Sequence, residues 1–197
     1  MGDGVPPRPL RPWLDHERLT AVLAGWRRAW SGRTLFTVTA GRQWVRLHLA
    51  GEDHDGVLLA DVPGARLVAA VRGRLPAVLA AALPSQRQHP LRGLLRDCRL
   101  ERLGMLPNDR VAAFGLTDPA GAPRILLHRL FGARGDTVLL DGSGRVLWSR
   151  HRPPHDRLSQ LPPDATWASG EPAPDDLSAF ALDHLATGLA DQVAGSH

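Results

Sequence analysis

The chain has 197 residues, 43% apolar and 22% charged, the composition of one ordinary globular domain with tails. Its formal charge is +4, and all 24 basic residues are arginine. A single cysteine excludes an internal disulfide framework and any multi-cysteine zinc site, and no apolar run approaches the length that spans a bilayer.

Lysine and tyrosine are absent and Ile125 is the sole isoleucine, a pattern of GC-rich coding that accounts for part of the arginine content. Arginine nevertheless suits phosphate binding and base stacking better than lysine does. The arginines lie between residues 8 and 157, whereas the stretch from Asp164 to Asp191 is net acidic, which favours a basic face and a nucleic-acid partner. Met1–Pro7 has no hydrophobic signal core, so export is not expected and the cytoplasm is the default location.

Residues 1–12, rich in Pro and Gly, read as a flexible arm. Asp15 is placed to cap a helix. Leu19, Val22, Leu23, Trp26 and Trp30 follow helical spacing and predict that helix over 16–30, with a stop at Gly32. The tryptophans read as packing residues in preference to a base-stacking platform. Short strands follow at Leu35–Thr39, Trp44–Leu49, Val57–Ala60 and Arg66–Val71. In the second strand Val45, Leu47 and Leu49 share one face. Trp44, Arg46 and His48 share the other, a face suited either to RNA or to solvent, with the plain solvated face the preferred reading.

A short helix is expected between Pro76 and Leu83, and another over Leu91–Cys98. Arg92, Arg96 and Arg99 fall at spacings of four and three, so a helix would put them on one face, suited either to phosphates or simply to solvent. Cys98 falls on the apolar side and reads as a small buried residue. Strands are expected at Glu101–Pro107, Val111–Thr117, Arg124–Phe131, Thr137–Leu140 and Arg145–Ser149. Turns this short make an antiparallel meander. The Gly-rich turns lie between strands and not before a helix, so neither a P-loop nor a dinucleotide fingerprint is present. His151, His155 and Asp156 are neighbours in a Pro-rich stretch, too weak a pattern to assign a metal. A final acidic helix is expected over Leu177–Val193, with Phe180, Leu182, Leu185, Leu189 and Val193 on its apolar side.

At the centre lies Leu106-Pro107-Asn108-Asp109-Arg110-Val111. An acid and a base side by side at the mouth of a strand cannot both enter the core unpaired. At least one of Asp109 and Arg110 must face solvent, a partner or the other.

The ordered series Leu91–Cys98, Asp109-Arg110-Val111, Gly132–Asp141 and Gly144–Leu147 resembles the later half of the N-terminal domain of the NFACT family. These are ribosome-associated quality-control factors related to fibronectin-binding protein A. Trp13-Leu14-Asp15 is similar to that family's opening. Where the family commonly has an acid, a Gly and a Ser-Asn pair, this chain has Arg129, Gly132, Gly135 and Asp136.

The resemblance implies an α+β fold, an antiparallel β-sandwich or meander flanked by helices, similar to the N-terminal domain of formamidopyrimidine-type DNA glycosylases. The resemblance covers residues 13–170 as one domain; with the arm at 1–12 and an acidic helix with its tail over 171–197, read from the residues themselves, the chain divides into three segments. The resemblance also implies a non-catalytic, cofactor-free RNA-binding module for tRNA, with Asp109 and Arg110 recognising the RNA and Asp15, Arg92, Arg96 and Arg99 as further contacts. The glycosylases use an N-terminal proline and a glutamate. Here Gly2 and Asp3 follow Met1, so DNA chemistry is not expected. The family's coiled coil is missing, so a large-ribosomal-subunit contact would run through a separately encoded partner. The competing expectation is an interaction subunit that docks on such a partner through its acidic helix. No membrane partner is expected.

Overall fold

A computed structural model describes residues 15–51, 53–107, 109–130, 136–151, 167–168, 170–171 and 178–194. Helix α1 (His16–Trp30) forms where the spacing predicts it. Asp15 caps it, accepting the Arg18 amide at 2.9 Å. Leu19, Val22, Leu23, Trp26 and Trp30 are all buried, and the two tryptophans, one turn apart, pack with ring centroids 5.3 Å apart.

The alternating segments build two antiparallel sheets, each running in chain order. The first contains β1 (Leu35–Gly41), β2 (Trp44–Leu49), β3 (Gly56–Val62) and β4 (Ala65–Val71). The second contains β5 (Arg99–Met105), β6 (Val111–Thr117), β7 (Pro123–Arg129), β8 (Thr137–Asp141) and β9 (Val146–Ser149). Between the sheets in sequence lie two short helices, α2 (Ala77–Ala82) and α3 (Pro90–Leu95). Helix α4 (Ser178–Ala194) follows the second sheet.

The main core lies between the sheets. Val38, Val45, Leu47 and Leu59 from the first meet Leu103, Phe114, Leu126 and Leu139 from the second, with α1 and α3 closing the sides. The sheets are joined along one edge by backbone bonds. Leu35 donates to the Cys98 carbonyl at 2.8 Å, and Leu100 donates to the Arg33 carbonyl at 2.9 Å. The outer face of the second sheet buries Val111, Ala113, Leu127 and Val138, with Trp167 laid against them. The result is an α+β antiparallel sandwich flanked by helices, as expected.

The outer face of the first sheet differs from expectation. Trp44 and Arg46 are 4% and 7% exposed, so the predicted solvated face is a second core. Trp44, Leu58, Ala60 and Leu67 pack under Leu79 and Leu83 of the α2 region and Ala181 and Leu185 of α4. Arg46 donates through Nη2 to the Gly73 carbonyl. Alternation reports which residues share a face; what lies over that face comes from elsewhere in the chain. The apolar side of α4 is also rotated from the predicted one. Ala181 and Leu185 are buried, while Phe180 and Val193 are 64% and 67% exposed. Ser178 anchors the helix by accepting the Ala70 amide of β4 through Oγ at 2.9 Å.

Candidate functional site

The connection between β5 and β6 is held at both ends. Leu106 donates to the Val111 carbonyl at 2.9 Å and accepts from the Asp109 amide at 3.4 Å, and the Arg110 carbonyl accepts from Leu130 at 2.9 Å. Leu106 and Val111 are buried, while Asp109 and Arg110 are half-buried and engage neighbouring groups. The charged pair therefore sits at the rim of the second sheet and not inside it, as the cost of burying charge requires.

The N-terminus of α1 lies against this connection. His16 donates through Nε2 to the Leu106 carbonyl at 3.0 Å, which brings Asp15 to the same end of the molecule as Asp109 and Arg110. The rim continues across the sheet. Arg129 ends β7 opposite Val111, and its amide donates to the Asp136 carbonyl at 2.9 Å. The Asp136 carboxylate accepts from the Thr137 amide at 2.9 Å and the His151 amide at 3.4 Å. Arg150 follows β9, and its amide donates to the Thr137 carbonyl at 2.9 Å. Neighbouring strands are about 4.8 Å apart, so Arg110, Arg129, Asp136 and Arg150 mark out roughly 15 Å of one sheet end.

The far part of this rim turns inward and meets the first sheet. The side chains of Arg150 and Asp61 are 6% and 4% exposed, with Arg150 Nε 3.7 Å from Asp61 Oδ2. His151 Nε2 is 3.5 Å from the same oxygen, and Arg66 Nε donates to Asp61 Oδ1 at 2.9 Å. Arg150 Nη1 also donates to the Gly41 and Arg42 carbonyls. Burial draws the Arg150 pKa below its ordinary value, while Asp61 and Asp136 oppose that shift. This buried set was not singled out in the sequence. Asp61 lies just past the predicted strand Val57–Ala60, and no local pattern links it to Arg150.

The other predicted contacts lie apart. Helix α3 stops at Leu95 with Arg96 as its C-cap, and Asp97 takes a left-handed conformation at φ 61°. Arg99 then opens β5, so the three-arginine helical stripe does not form; Arg92 alone is within the helix. Arg96 lies 3.5 Å from Asp97, and Arg99 pairs with Glu101. All three arginines are exposed, and exposed pairs of this kind are worth only about 0–1 kcal/mol, so they leave the guanidinium groups open to phosphate. A seven-residue strand is roughly 20 Å long, which separates Arg99 from the Asp109–Arg110 rim. The predicted contacts thus form two groups at opposite ends of β5.

Cys98 is fully buried, and burial pushes its thiol up to about 11, so it is protonated at neutral pH. His48 is half-buried beside Thr39, and burial, with Arg46 nearby, brings its pKa down to about 4. Among the described residues no group of three His, Cys, Asp or Glu side chains is placed to hold a metal. His155 and Asp156 lie outside the described residues.

Three solved structures share this arrangement. The N-terminal part of the fibronectin/fibrinogen-binding protein of Streptococcus suis superposes with TM-score 0.56 and 15% identity, over 83% of this chain and 61% of that one. The N-terminal domain of fibronectin-binding protein PavA of Streptococcus pneumoniae also gives 0.56 and 15%, over 81% and 64%. The fibrinogen-binding protein of Staphylococcus aureus gives 0.52 and 12%, over 80% and 55%. The fold is that of the fibronectin-binding-protein N-terminal domain. The chain spans about three fifths of the length of these structures. No protein-family model matches the chain, and no curated protein is similar to it in sequence. The likeness to the fibronectin-binding-protein domain is therefore one of backbone architecture.

Proposed function

We propose that this chain is a non-catalytic RNA-binding domain whose ligand is tRNA, acting in the manner of the N-terminal module of ribosome-associated quality-control factors. The observation that carries the reading is the placing of half-exposed Asp109 and Arg110 at one sheet end, beside Asp15 and Arg129. Arginine offers a planar donor fork to a phosphate or base edge, and aspartate accepts from a ribose hydroxyl or a base amino group. Arg92, Arg96 and Arg99 supply a second, separate basic group that contacts backbone only. Cytoplasmic location, and a ribosomal contact made through a separate partner protein, belong to the same reading.

The test is tRNA binding by the purified chain across a salt series. Three to five phosphate contacts predict a slope of roughly −3 in log K against log salt. Arg110→Ala and Asp109→Ala should each weaken binding by about tenfold or more, while Arg92→Ala should mainly shallow the slope by about one. Affinity unchanged in both rim variants would overturn recognition through this pair.

The structural neighbours are described as binding fibronectin or fibrinogen. Both proteins belong in the same assay, and tight binding to either in place of tRNA would reverse the assignment. Docking through an acidic helix is the weaker reading, because Ala181 and Leu185 of α4 are already spent on covering the first sheet.

A further inference from the structure

The last turns of α4 overhang a groove of about 540 Å³ that no part of the tRNA reading uses. Its walls are Trp44 from the start of β2, Leu83 and Pro84 after α2, and Leu189 and Val193 from α4. Arg42, in the turn between β1 and β2, is the one ionic group in the lining, which also holds two glutamines. Arg42 is exposed and has no ion pair among the described residues. Its turn is held in place, because the Arg42 carbonyl accepts from buried Arg150.

The size and chemistry select an occupant. Sites for small molecules are concave, mostly apolar, about 300–1,000 Å³ in volume and carry a few polar groups. A stable protein interface needs about 800 Å² from each partner, far more than this recess offers. Among the described residues the lining carries a lone cation and no carboxylate, so it is complementary to a single negative charge on an apolar body. The α4 wall ends in helix C-terminal carbonyls, which disfavour an anion. The acid group must therefore lie on the Arg42 side.

We propose that this groove is a binding site for a small amphiphilic carboxylic acid, with its hydrocarbon body on Trp44, Leu83, Leu189 and Val193 and its carboxylate paired with Arg42. A ligand of this size should bind with Kd on the order of 0.1–1 mM. The test uses the full chain without RNA, so its outcome is independent of tRNA binding. Anilinonaphthalene sulfonate, an apolar anion, should show saturable fluorescence enhancement at one site, and decanoate should displace it. Val193 is 67% exposed, so Val193→Trp should fold normally, fill the groove and abolish the signal. Arg42→Gln should weaken decanoate about tenfold and leave the neutral decanol unaffected. Near-UV circular dichroism checks that both variants keep their packing. Failure of decanoate to displace the dye, a signal that survives Val193→Trp, or equal decanoate affinity in Arg42→Gln would each overturn the proposal.

Discussion

His128 has no exposed surface, and both of its ring nitrogens are engaged. Nε2 lies 3.1 Å from the Leu67 carbonyl, which can only accept, so Nε2 carries the hydrogen. Nδ1 then accepts from the Thr137 hydroxyl at 2.9 Å. The neutral ring thus ties the second sheet to β4. Burial lowers its pKa from 6.5 to about 4, against the opposing pull of Asp61. His48 and His89 are shifted in the same direction, again chiefly by burial. A histidine that is harder to protonate in the fold than in the unfolded chain contributes stability fully above the unfolded pKa. That contribution falls as the pH drops from 6.5 towards 4. Urea unfolding between about pH 7 and 4 should therefore show stability declining with acid. His128→Gln, which keeps a donor and an acceptor but does not titrate, should remove about one proton of that dependence, or roughly 1.4 kcal/mol per pH unit. An undiminished slope in the variant would show that His128 is not titrating in this window.

Strands β5 and β6 pair Arg102 with Gly115 and Gly104 with Ala113, and Trp167 lies across this small-residue face. The ring is covered by the Arg102 guanidinium at 4.1 Å from its centroid, and Ala168 donates to the Met105 carbonyl at 2.7 Å. A Cβ at position 115 would stand 3.2 Å from the ring and 3.0 Å from Arg102 Cβ. One at position 104 would come no closer than 3.4 Å to any atom. Gly115→Val should therefore expel Trp167, shift tryptophan emission to the red and cost about 1–3 kcal/mol, whereas Gly104→Ala should be tolerated. Equal behaviour of the two variants in emission and urea midpoint would refute this packing. Most of the elements were legible in the sequence because each is announced locally. The turns Asp118–Gly121 and Asp141–Gly144 separate alternating runs, and all nine strands fall within two residues of their predicted ends. What failed was equally local in cause. Helix α3 stops at Leu95, and the chain turns away at Asp97, a non-glycine residue at positive φ that no stop signal marks, so the arginine stripe looked continuous. Asp15, Asp109 and Arg110 were each readable from capping and from charge at a strand mouth. Their placing at one end of the molecule was not, since it depends on α1 packing along β5 and on the His16–Leu106 bond.

At the scale of the whole molecule the two sheets are joined by two different means. One edge is closed by backbone bonds between residues 32–35 and 97–100, which side-chain changes reach only indirectly. The other junction is polar and built from side chains: Arg150 and His151 from the second sheet converge on Asp61 of the first, beside His128. Among the described residues Arg150 Nε and Nη2 make no hydrogen bond, so its buried charge depends on Asp61, Asp136 and the carbonyls of the β1–β2 turn. Removing one member of such a set leaves the other buried and uncompensated, which typically costs about 3–5 kcal/mol. Arg150→Met and Asp61→Asn should each destabilise strongly, Asp61→Asn the more because the Asp61 carboxylate also faces Arg66 and His151. The double variant should lose less than the sum of the two, by about 1 kcal/mol or more, because the second change removes a charge that the first had stranded. Native-state hydrogen exchange in Arg150→Met should rise at residues 41–43 and at 149–151 together, while protection at 97–100 is kept. Strict additivity in urea unfolding, or loosening of all four strands of the first sheet alike, would mean that the sandwich is held by its apolar core and its backbone edge, with the buried charges merely accommodated.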